Sequence, residues 1–533
     1  MLRTIFFIYA SFISIAVHAQ YEASHISSKL KENANVVVRL SKEEVLLKSK
    51  GEAIIRKHYV YTILNSSGND HAKLVMDYDK LRKVNKIEGT LYDAGGTKIR
   101  SLKKNDVKDY SNTSEANLAD DDRVKFHHFN HTSYPYSVEY QTEMEYDGVF
   151  YLPAWLPVFN ENVSVESASL KVTTAADYLL RYKTYNYAQQ PVVTDVKKEK
   201  EYNWSVSDIA AIKDEPYSPI WYEMVPTVFL APSSFEMQKY SGSMNNWQEF
   251  GKFIYTLNAN RNILPDNIKQ KVHALTDALP NDKQKIIALY KYLQQNTRYI
   301  SIQLGIGGWQ TLDANFVASK GYGDCKALSN YMNALLNEAG IPSYTALIKA
   351  GSNAADIMTD FSSNQFNHVI VCVPQPKDSI WLECTSQTSE PGYMGSFTGN
   401  RQALLISEKG GILVKTSSYI SSDNLQKRKI KAVVSEEGEL KADILSYYSG
   451  LQQDRLDDKM KQASAPEFTE YMRRKFNLSS YEVIDFFHKT NKHAVPSIEE
   501  NVKIIFWPSI FTADLYSAVP LRKLAGAGID SAL

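Results

Sequence analysis

Residues 321–342 have the sequence GYGDCKALSNYMNALLNEAGIP, and this stretch decides how the middle of the chain folds. Its apolar residues recur at intervals of three and four, which places them on one face of a helix: Leu328, Met332, Leu335, Leu336 and Ala339. Gly340 stands where a helix-ending glycine belongs, and Pro342 prevents the helix from continuing. The stretch therefore predicts a buried helix that begins at or just before Cys325.

Cys325 lies in the first turn of this predicted helix. A thiol in that position meets unpaired backbone N–H groups and the positive end of the helix dipole, and both favour the thiolate. Asp324 can cap the helix, while Gly321 and Gly323 let the backbone approach a substrate closely. We expect Cys325 to be an activated nucleophile at the mouth of the helix, outside the core.

Two predicted strands downstream supply a base and a group that could orient it. Phe366–Val373 and Ser379–Thr385 are rich in β-branched and aromatic residues, and the short segment between them contains two prolines. Folding the pair as a hairpin places Glu383 opposite residues 368–370, and the alternation of side chains puts His368 and Glu383 on one face. The carboxylate would then hold the imidazole in one tautomer and stabilise its protonated form.

The three cysteines of the chain cannot form a disulfide framework, because their number is odd. Cys372 shares a face of the predicted hairpin with His368, whereas Cys384 follows Glu383 and points to the opposite face. A bond between these two thiols is therefore disfavoured. We interpret both as small buried hydrophobic residues, and Cys325 as the thiol with a chemical role.

An acyl-transfer reaction also needs donors that stabilise an oxyanion. The backbone N–H of Cys325 or Lys326 is the default donor. A second donor could come from Gln303, Trp309 or Gln310 in the segment IQLGIGGWQ, and spacing alone does not choose among these three side chains.

Taken together, these motifs resemble the transglutaminase-like superfamily, whose core is papain-like. The resemblance rests on the Gly-Asp-Cys-Lys setting of Cys325, the Asn-His-Val start of the first strand and the Trp-Leu-acid pattern of the second. It covers about residues 265–410 and implies an α+β domain in which Cys325, His368 and Glu383 are catalytic. The family most often has aspartate as the acid, and the glutamate here is long enough to reach the imidazole.

The flanking regions resemble the β-rich companion domains, of unassigned function, that accompany this module in exported Gram-negative bacterial proteins. The resemblance rests on domain order and on IEGTLYD at residues 87–93, YPY at 134–136 and EY at 139–140. It implies a β-sandwich-like N-terminal domain and a β-rich C-terminal domain around the central α+β domain. It implies nothing about activity.

The 533 residues divide into five predicted segments. Short alternating stretches bounded by turn residues fill residues 36–210, and a connector rich in proline and aromatic residues follows. Strand signals return after residue 411, and the chain ends in a poorly patterned tail. The predicted segments are a signal peptide (1–19), the N-terminal domain (20–215), the connector (216–264), the transglutaminase-like domain (265–410) and the C-terminal domain (411–533).

The first 19 residues have one arginine, an apolar run and the small-residue pattern Val17-His18-Ala19. This pattern is typical of a cleavable signal peptide, with cleavage after Ala19 and a periplasmic or secreted mature protein. The apolar run is too short for a comfortable membrane span, and no later segment reaches 18 consecutive apolar residues. The sequence therefore predicts no membrane span.

Composition excludes several other partners and cofactors. Lysine plus arginine and aspartate plus glutamate both number 60, and no basic stripe is found, which argues against nucleic-acid binding. The sequence contains no phosphate loop, zinc pattern or dinucleotide fingerprint, so it predicts no cofactor and no metal. The histidines 127, 128 and 131 alternate along a predicted strand and do not converge, so we interpret them as a solvated or interface cluster.

The motifs, the family resemblance and the N-terminal pattern together favour an exported cysteine enzyme that acts on amide bonds. We expect hydrolysis of a peptide, protein or cell-wall peptide through a thioester. Transfer of the acyl group to an amine, as in a cross-linking transglutaminase, is a weaker hypothesis. The competing hypothesis of a different class is a non-catalytic periplasmic protein that binds a peptide or glycan. The sequence leaves the substrate, the oligomeric state and the role of the flanking domains open.

Overall fold

The computed structural model describes residues 21–112, 117–376, 378–476, 478, 481–491 and 495–506, with side chains described for all of these except 117–120 and 303. Contacts divide the chain into two compact units. The first unit lies within Met1–Ser114 and Asp121–Ser241, and the second within Glu115–Asp120 and Gly242–Leu533. The predicted signal peptide and the C-terminal tail from residue 507 lie outside the described residues.

Strands dominate the first half of the chain. Its helices and strands are α1 (Ser28–Lys31), β1 (Val36–Ser49), β2 (Glu52–Ile63), β3 (Leu74–Tyr78), β4 (Arg82–Tyr92), β5 (Lys98–Ser101), β6 (Lys108–Ser111), β7 (Asn117–Asp120), β8 (Arg123–His127), β9 (Tyr136–Asp147), β10 (Val163–Ala175), β11 (Leu180–Tyr185), β12 (Val192–Val196), β13 (Glu199–Ile209), α2 (Trp221–Met224), β14 (Thr227–Pro232), β15 (Ser234–Met237) and β16 (Tyr240–Ser243).

One large sheet organises the first unit, with the strand order β12-β13-β10-β1-β2-β9-β4-β5. Its central strand β1 pairs antiparallel with β2 and parallel with β10. Leu170 and Trp204 face each other across β10 and β13 and are almost fully buried. The same half of the chain also forms the smaller sheets β3-β8-β6, β11-β14 and β15-β16. The alternation that led us to expect a β-sandwich-like domain sets which face of a strand is buried, but it does not set which strands pair.

The second unit mixes helices and strands. Its elements are α3 (Trp247–Leu257), α4 (Asp266–Thr276), α5 (Asp282–Asn296), β17 (Arg298–Tyr299), β18 (Ser301–Gln303), α6 (Ala314–Lys320), β19 (Tyr322–Gly323), α7 (Cys325–Glu338), β20 (Tyr344–Ile348), β21 (His368–Val373), β22 (Ile380–Leu382), α8 (Gly395–Thr398), β23 (Gln402–Ser407), β24 (Gly410–Lys415), β25 (Gln426–Val434), β26 (Leu440–Ser449), α9 (Asp454–Gln462), α10 (Ala465–Arg473), β27 (Tyr481–Asn491) and β28 (Ser497–Phe506).

A five-stranded sheet with the order β22-β21-β20-β23-β24 carries the central part of this unit. The predicted apolar face of α7 is buried against it, in one cluster with Val371, Leu382 and the inner face of α5. Four residues on the inner face of α5 are at most 1% exposed: Ile286, Leu289, Tyr290 and Leu293. The mixed α+β class is therefore confirmed by this half of the chain.

A second sheet, with the order β25-β26-β28-β27, follows in the same unit and packs against α10. Its core includes Ile444, Met472 and Val502. Among the described residues, no helix combines the length and the apolar character that crossing a bilayer requires.

Residues 216–264, which we predicted as a connector, contain regular secondary structure. They contain α2, α3 and the strands β14, β15 and β16. β14 pairs with β11 of the first unit, while α3 packs against β23 and β24 of the second. The prolines of this segment signal turns, but they do not show that the strands between them join a sheet.

Helix α3 supports the strand that carries His368. Trp247 and Phe250 of α3 contact the ring of Phe366, with ring centroids 5.6 and 6.0 Å apart. On the neighbouring turn, Gly251 lies directly against the backbone of Gly411 in β24. A Cβ atom on Gly251 would stand 2.2 Å from the Cα of Gly411. Only glycine permits this close approach of helix and strand.

We predict that Gly251→Ala lowers the free energy of unfolding by about 3 kcal/mol, because the new methyl group forces α3 away from β24. Chemical denaturation monitored by circular dichroism measures the change. Gly308→Ala is the matched control, since no atom lies within 4 Å of a Cβ built there. Equal stability of the two variants would contradict the close packing of α3 on β24.

Candidate active site

Cys325 is the first residue of α7, as the sequence predicts. Asp324 caps the helix by accepting a hydrogen bond of 2.9 Å from the N–H of Ala327. Its second carboxylate oxygen forms an ion pair with Lys326, and both side chains are at least nine-tenths buried. The first turn of α7 is thus held by its own neighbours, which fixes where the sulfur points.

The expectation that Cys325 lies outside the core is wrong. The residue is only 7% exposed. β17 and β19 pair directly before the helix, with Tyr299 opposite Gly323, and the Tyr299 side chain is close enough to Cys325 for electrostatic interaction. Sequence analysis missed Tyr299, because nothing in the local pattern shows that β17 returns to the start of α7.

His368 and Glu383 meet on one face of the hairpin formed by β21 and β22. The strands are antiparallel with Val371 opposite Leu382, a register that puts residues 368 and 383 on the same side. Nε2 of His368 lies 3.0 Å from each carboxylate oxygen of Glu383. Both side chains are less than a tenth exposed. The parity argument from the sequence therefore places this pair correctly.

The ring of His368 also interacts with Cys325. The Cys325 thiol is near enough to the ring to contribute, after the Glu383 carboxylate, to raising the pKa of His368. Because Nε2 faces Glu383, Nδ1 is the ring nitrogen left for the sulfur. The structure thus brings the three predicted residues together at one site, with the imidazole next to the carboxylate and near the thiol.

Electrostatics favours a charged pair of imidazolium and carboxylate. Burial opposes protonation of His368, but the Glu383 carboxylate and the nearby Cys325 thiol outweigh it and raise the pKa to about 10. Burial likewise opposes the charged form of Glu383, yet the contacts with His368 and Thr385 lower its pKa. The hydroxyl of Thr385 donates a 2.6 Å hydrogen bond to Oε1 of Glu383.

Further contacts hold this pair in position. The hydroxyl of Ser329 in α7 donates to the carbonyl of Val369 at 3.0 Å, which joins the helix to β21. The hydroxyl of Tyr290 donates to the carbonyl of Glu383 at 2.7 Å. Phe397 meets the ring of His368 edge-on, with centroids 5.5 Å apart. We did not identify Phe397 from the sequence. It lies in α8, which has only one turn and belongs to none of the motifs described above.

The structure does not choose an oxyanion donor among the predicted side chains. Gln310 donates a 3.0 Å hydrogen bond from its amide to the carbonyl of Leu257, at the end of α3. Trp309 follows the 3₁₀ helix Gly305–Gly308, and the side chain of Gln303 lies outside the described residues. The N–H of Cys325, at the start of the helix, remains the default donor.

The other cysteines behave as the sequence predicts. All three thiols are free, and Cys372 and Cys384 are at most 1% exposed within apolar clusters. Burial raises the pKa of Cys372 to about 11 and also raises that of Cys384. A high pKa keeps a thiol protonated and unreactive.

The histidine cluster of the first unit differs in one respect from the solvated cluster that we expected. His127 is 5% exposed, and its Nδ1 lies 2.8 Å from the hydroxyl of Tyr140. The strand β8 ends at His127, so His128 and His131 lie beyond it. His127 is therefore a packed core residue that burial keeps neutral, with a pKa lowered to about 4.

Comparison with protein families gives one match. Residues 49–213 match DUF3857, a family described as a domain of unknown function with a solved structure. This range lies within the region that we interpreted as a companion domain, and the family carries no assigned activity. No curated protein matches the sequence.

Solved structures resemble the chain more broadly. A candidate protease from Parabacteroides distasonis is 13% identical, with 89% of this chain and 94% of that chain covered and a TM-score of 0.55. A candidate cysteine protease from Cytophaga hutchinsonii is 9% identical over 63% of this chain and 77% of that chain, with a TM-score of 0.19. The first likeness shows a shared fold, and the second supports no inference.

We predict that Glu383→Gln lowers the pKa of His368, because burial then opposes protonation and only the interactions with Cys325 still favour it. Histidine NMR signals followed against pH measure the shift. The glutamine keeps the size and the hydrogen-bonding capacity of the side chain, so the loss of charge is the variable tested. An unchanged titration of His368 would contradict the coupling of these two residues.

Proposed function

We propose that the second unit is a transglutaminase-like cysteine enzyme that hydrolyses amide bonds in peptides or proteins. Cys325 is the nucleophile, His368 the general acid and base, and Glu383 the residue that orients the imidazole. The observation that carries the proposal is that the His368 ring lies 3.0 Å from the Glu383 carboxylate and is near enough to the Cys325 thiol for the two groups to interact electrostatically. A nucleophile, a base and an orienting acid at one site form the constellation that amide cleavage requires.

The proposed reaction has two halves. The Cys325 thiolate attacks the carbonyl carbon, the C–N bond breaks, and the His368 imidazolium gives its proton to the leaving amine. Water then attacks the thioester, the neutral imidazole takes a proton from that water, and the C–S bond breaks to release the acid and the thiolate. Protonated His368 is the form that the first half needs, and the raised pKa of this residue supplies it at neutral pH.

The protein environment assists this chemistry in two ways. The first turn of α7 presents backbone N–H groups, which can stabilise both the thiolate and the oxyanion. The buried Glu383 keeps its charge beside the imidazole, since Thr385 and His368 lower its pKa. The name of the P. distasonis structure agrees with an enzyme of this class, although at 13% identity the likeness itself concerns the fold.

Export belongs to the proposal as well. The pattern of residues 1–19 supports a mature protein that begins near Gln20 in the periplasm or outside the cell.

We predict that iodoacetamide at neutral pH labels one site per chain, Cys325, faster than it labels a model peptide thiol. The reason is that a thiolate beside a protonated imidazole reacts faster than a thiol. Intact-mass spectrometry with peptide mapping measures the rate. Cys325→Ala should remove the label, whereas Cys372→Ala, at a buried thiol of high pKa, should keep it.

In an amide-cleavage assay, Cys325→Ala should abolish turnover, and His368→Ala should reduce it by about a thousandfold or more. Near-native circular dichroism spectra would show that the variants fold. A wild-type protein whose Cys325 reacts no faster than the model thiol, and which cleaves no peptide, would refute the enzyme and favour the peptide- or glycan-binding alternative.

A further inference from the structure

The two residues next to the candidate nucleophile form a buried ion pair. Asp324 directly precedes Cys325 and Lys326 directly follows it, and the Lys326 ammonium binds Oδ2 of Asp324. The lysine side chain is 10% exposed and the aspartate side chain 3%. Lysine and aspartate are rarely buried this deeply. The proposed reaction uses neither side chain, so their burial next to the sulfur has a separate cause.

Capping the helix explains the position of Asp324 but not its charge. Its Oδ1 accepts a 2.9 Å hydrogen bond from the N–H of Ala327 in the first turn of α7. Asparagine or serine would accept the same bond without a charge. Stability of the fold does not require the charges either, because a buried ion pair often stabilises a protein no more than apolar residues of similar volume.

The charge of Asp324 acts on the ionisation of Cys325. When the thiol ionises, a negative charge remains on the sulfur and the proton passes to the imidazole of His368. A like charge on the preceding residue opposes this step, and the more so because Cys325 is only 7% exposed. The Lys326 ammonium cancels that charge within the same turn of the helix. The N–H groups of α7 and the imidazolium can then stabilise the thiolate.

The other described groups near the sulfur bring no net positive charge. Tyr299 of β17 and the buried thiol of Cys384 are near enough to Cys325 to interact with it electrostatically, and burial raises the pKa of both, which keeps them neutral. The positive charge of His368 is matched by Glu383, whose carboxylate lies 3.0 Å from the ring. The ammonium of the ion pair therefore decides whether the helix cap adds a negative charge beside the sulfur.

We propose that Lys326 is a positioning residue for the nucleophile, whose ammonium neutralises the Asp324 cap so that the Cys325 thiolate forms without a like charge beside it. The inference rests on the proposed function, since it concerns how the nucleophile of that reaction ionises. Lys326 acts on the sulfur through Asp324 and not as an acid or base in the reaction. The sequence Asp-Cys-Lys thus places two opposite charges on either side of the reactive thiol.

The pH dependence of alkylation tests the two charges separately. Cys325 is labelled with iodoacetamide over a series of pH values, and intact-mass spectrometry gives the pH at which labelling reaches half its maximal rate. Lys326→Met leaves the carboxylate uncompensated and should raise this midpoint by about one pH unit, which is about a tenfold loss of rate below it. Asp324→Asn keeps the cap but leaves the ammonium uncompensated, and should lower the midpoint by about the same amount.

Three further variants show that charge balance is responsible. The double variant Asp324→Asn/Lys326→Met has neither charge and should return the midpoint close to the wild-type value, and Lys326→Arg, which keeps the charge, should do the same. Lys320→Met, at an exposed lysine in the last turn of α6, is the matched control and should leave the midpoint unchanged. Shifts of the same sign in both single variants, or a double variant displaced as far as Lys326→Met, would overturn the proposal.

Circular dichroism and chemical denaturation show which variants fold. Removing one partner of a buried ion pair is destabilising. If Lys326→Met does not fold, the lowered midpoint of Asp324→Asn and its reversal in the double variant carry the test, and their absence would overturn the proposal.

Labelling is measured without turnover, which separates this proposal from the proposed function. Opposite shifts in the two single variants, in a protein that cleaves no peptide, would refute the hydrolase and support the role of the ion pair. Peptide cleavage together with unshifted midpoints would leave the hydrolase standing and overturn the role of Lys326 alone.

Discussion

The pairing register of β21 and β22 is the constraint on which the candidate site depends. With Val371 opposite Leu382, the alternation of side chains brings His368 and Glu383 to the same face. A slip of one residue would move one of them to the other face and leave a charged group without its partner. The bond from Ser329 to Val369 then ties this strand to α7, so the same register decides which group the Cys325 sulfur meets.

Because the His368–Glu383 ion pair is buried, breaking it lowers the stability of the fold. Removing one member of a buried ion pair costs about 3–5 kcal/mol, because the other charge remains without compensation. Since the pKa of His368 is raised, its contribution to stability is complete below its ordinary value near 6.5 and is lost as the pH rises through about 10. The pKa of Glu383 is lowered. Its contribution to stability is therefore present above the ordinary pKa of a glutamate, near 4.5, and is lost in more acidic solution. The pair therefore stabilises the fold most in the weakly acidic range.

The C-terminal part of the chain, from β25 onward, belongs to the same compact unit as the sheet that carries the site. Its helix α9 supplies one wall of a cavity that Glu383 also lines, and that wall includes Asp454, Asp457 and Asp458. The hydrogen bond from Tyr393 to Asp454 links α9 to the segment that ends in Phe397 and α8. Residues nearly a hundred positions after the histidine thus determine the electrostatic character of the space beside it.

Local patterns in the sequence determined the elements that carry the site. The 3.6-residue period of residues 325–339, the Asp324 cap and the glycine after the helix define α7, because the relevant interactions join residues at most four positions apart. The alternation in β21 and β22 likewise predicted that His368 and Glu383 share a face, since the loop between them is short. The burial of Cys372 and Cys384 followed from the same parity.

Only the tertiary structure decided what surrounds those residues. It buried Cys325 beside Tyr299, it placed Phe397 on the imidazole and α9 beside Glu383, and it joined β1 to β10 in parallel across more than a hundred residues. Residues this far apart meet because whole sheets and helices pack together. The periodicity of one segment does not show which distant segment it packs against. The sequence therefore predicted the candidate residues Cys325, His368 and Glu383. Access to the sulfur and the charges around it depend on how distant elements pack together.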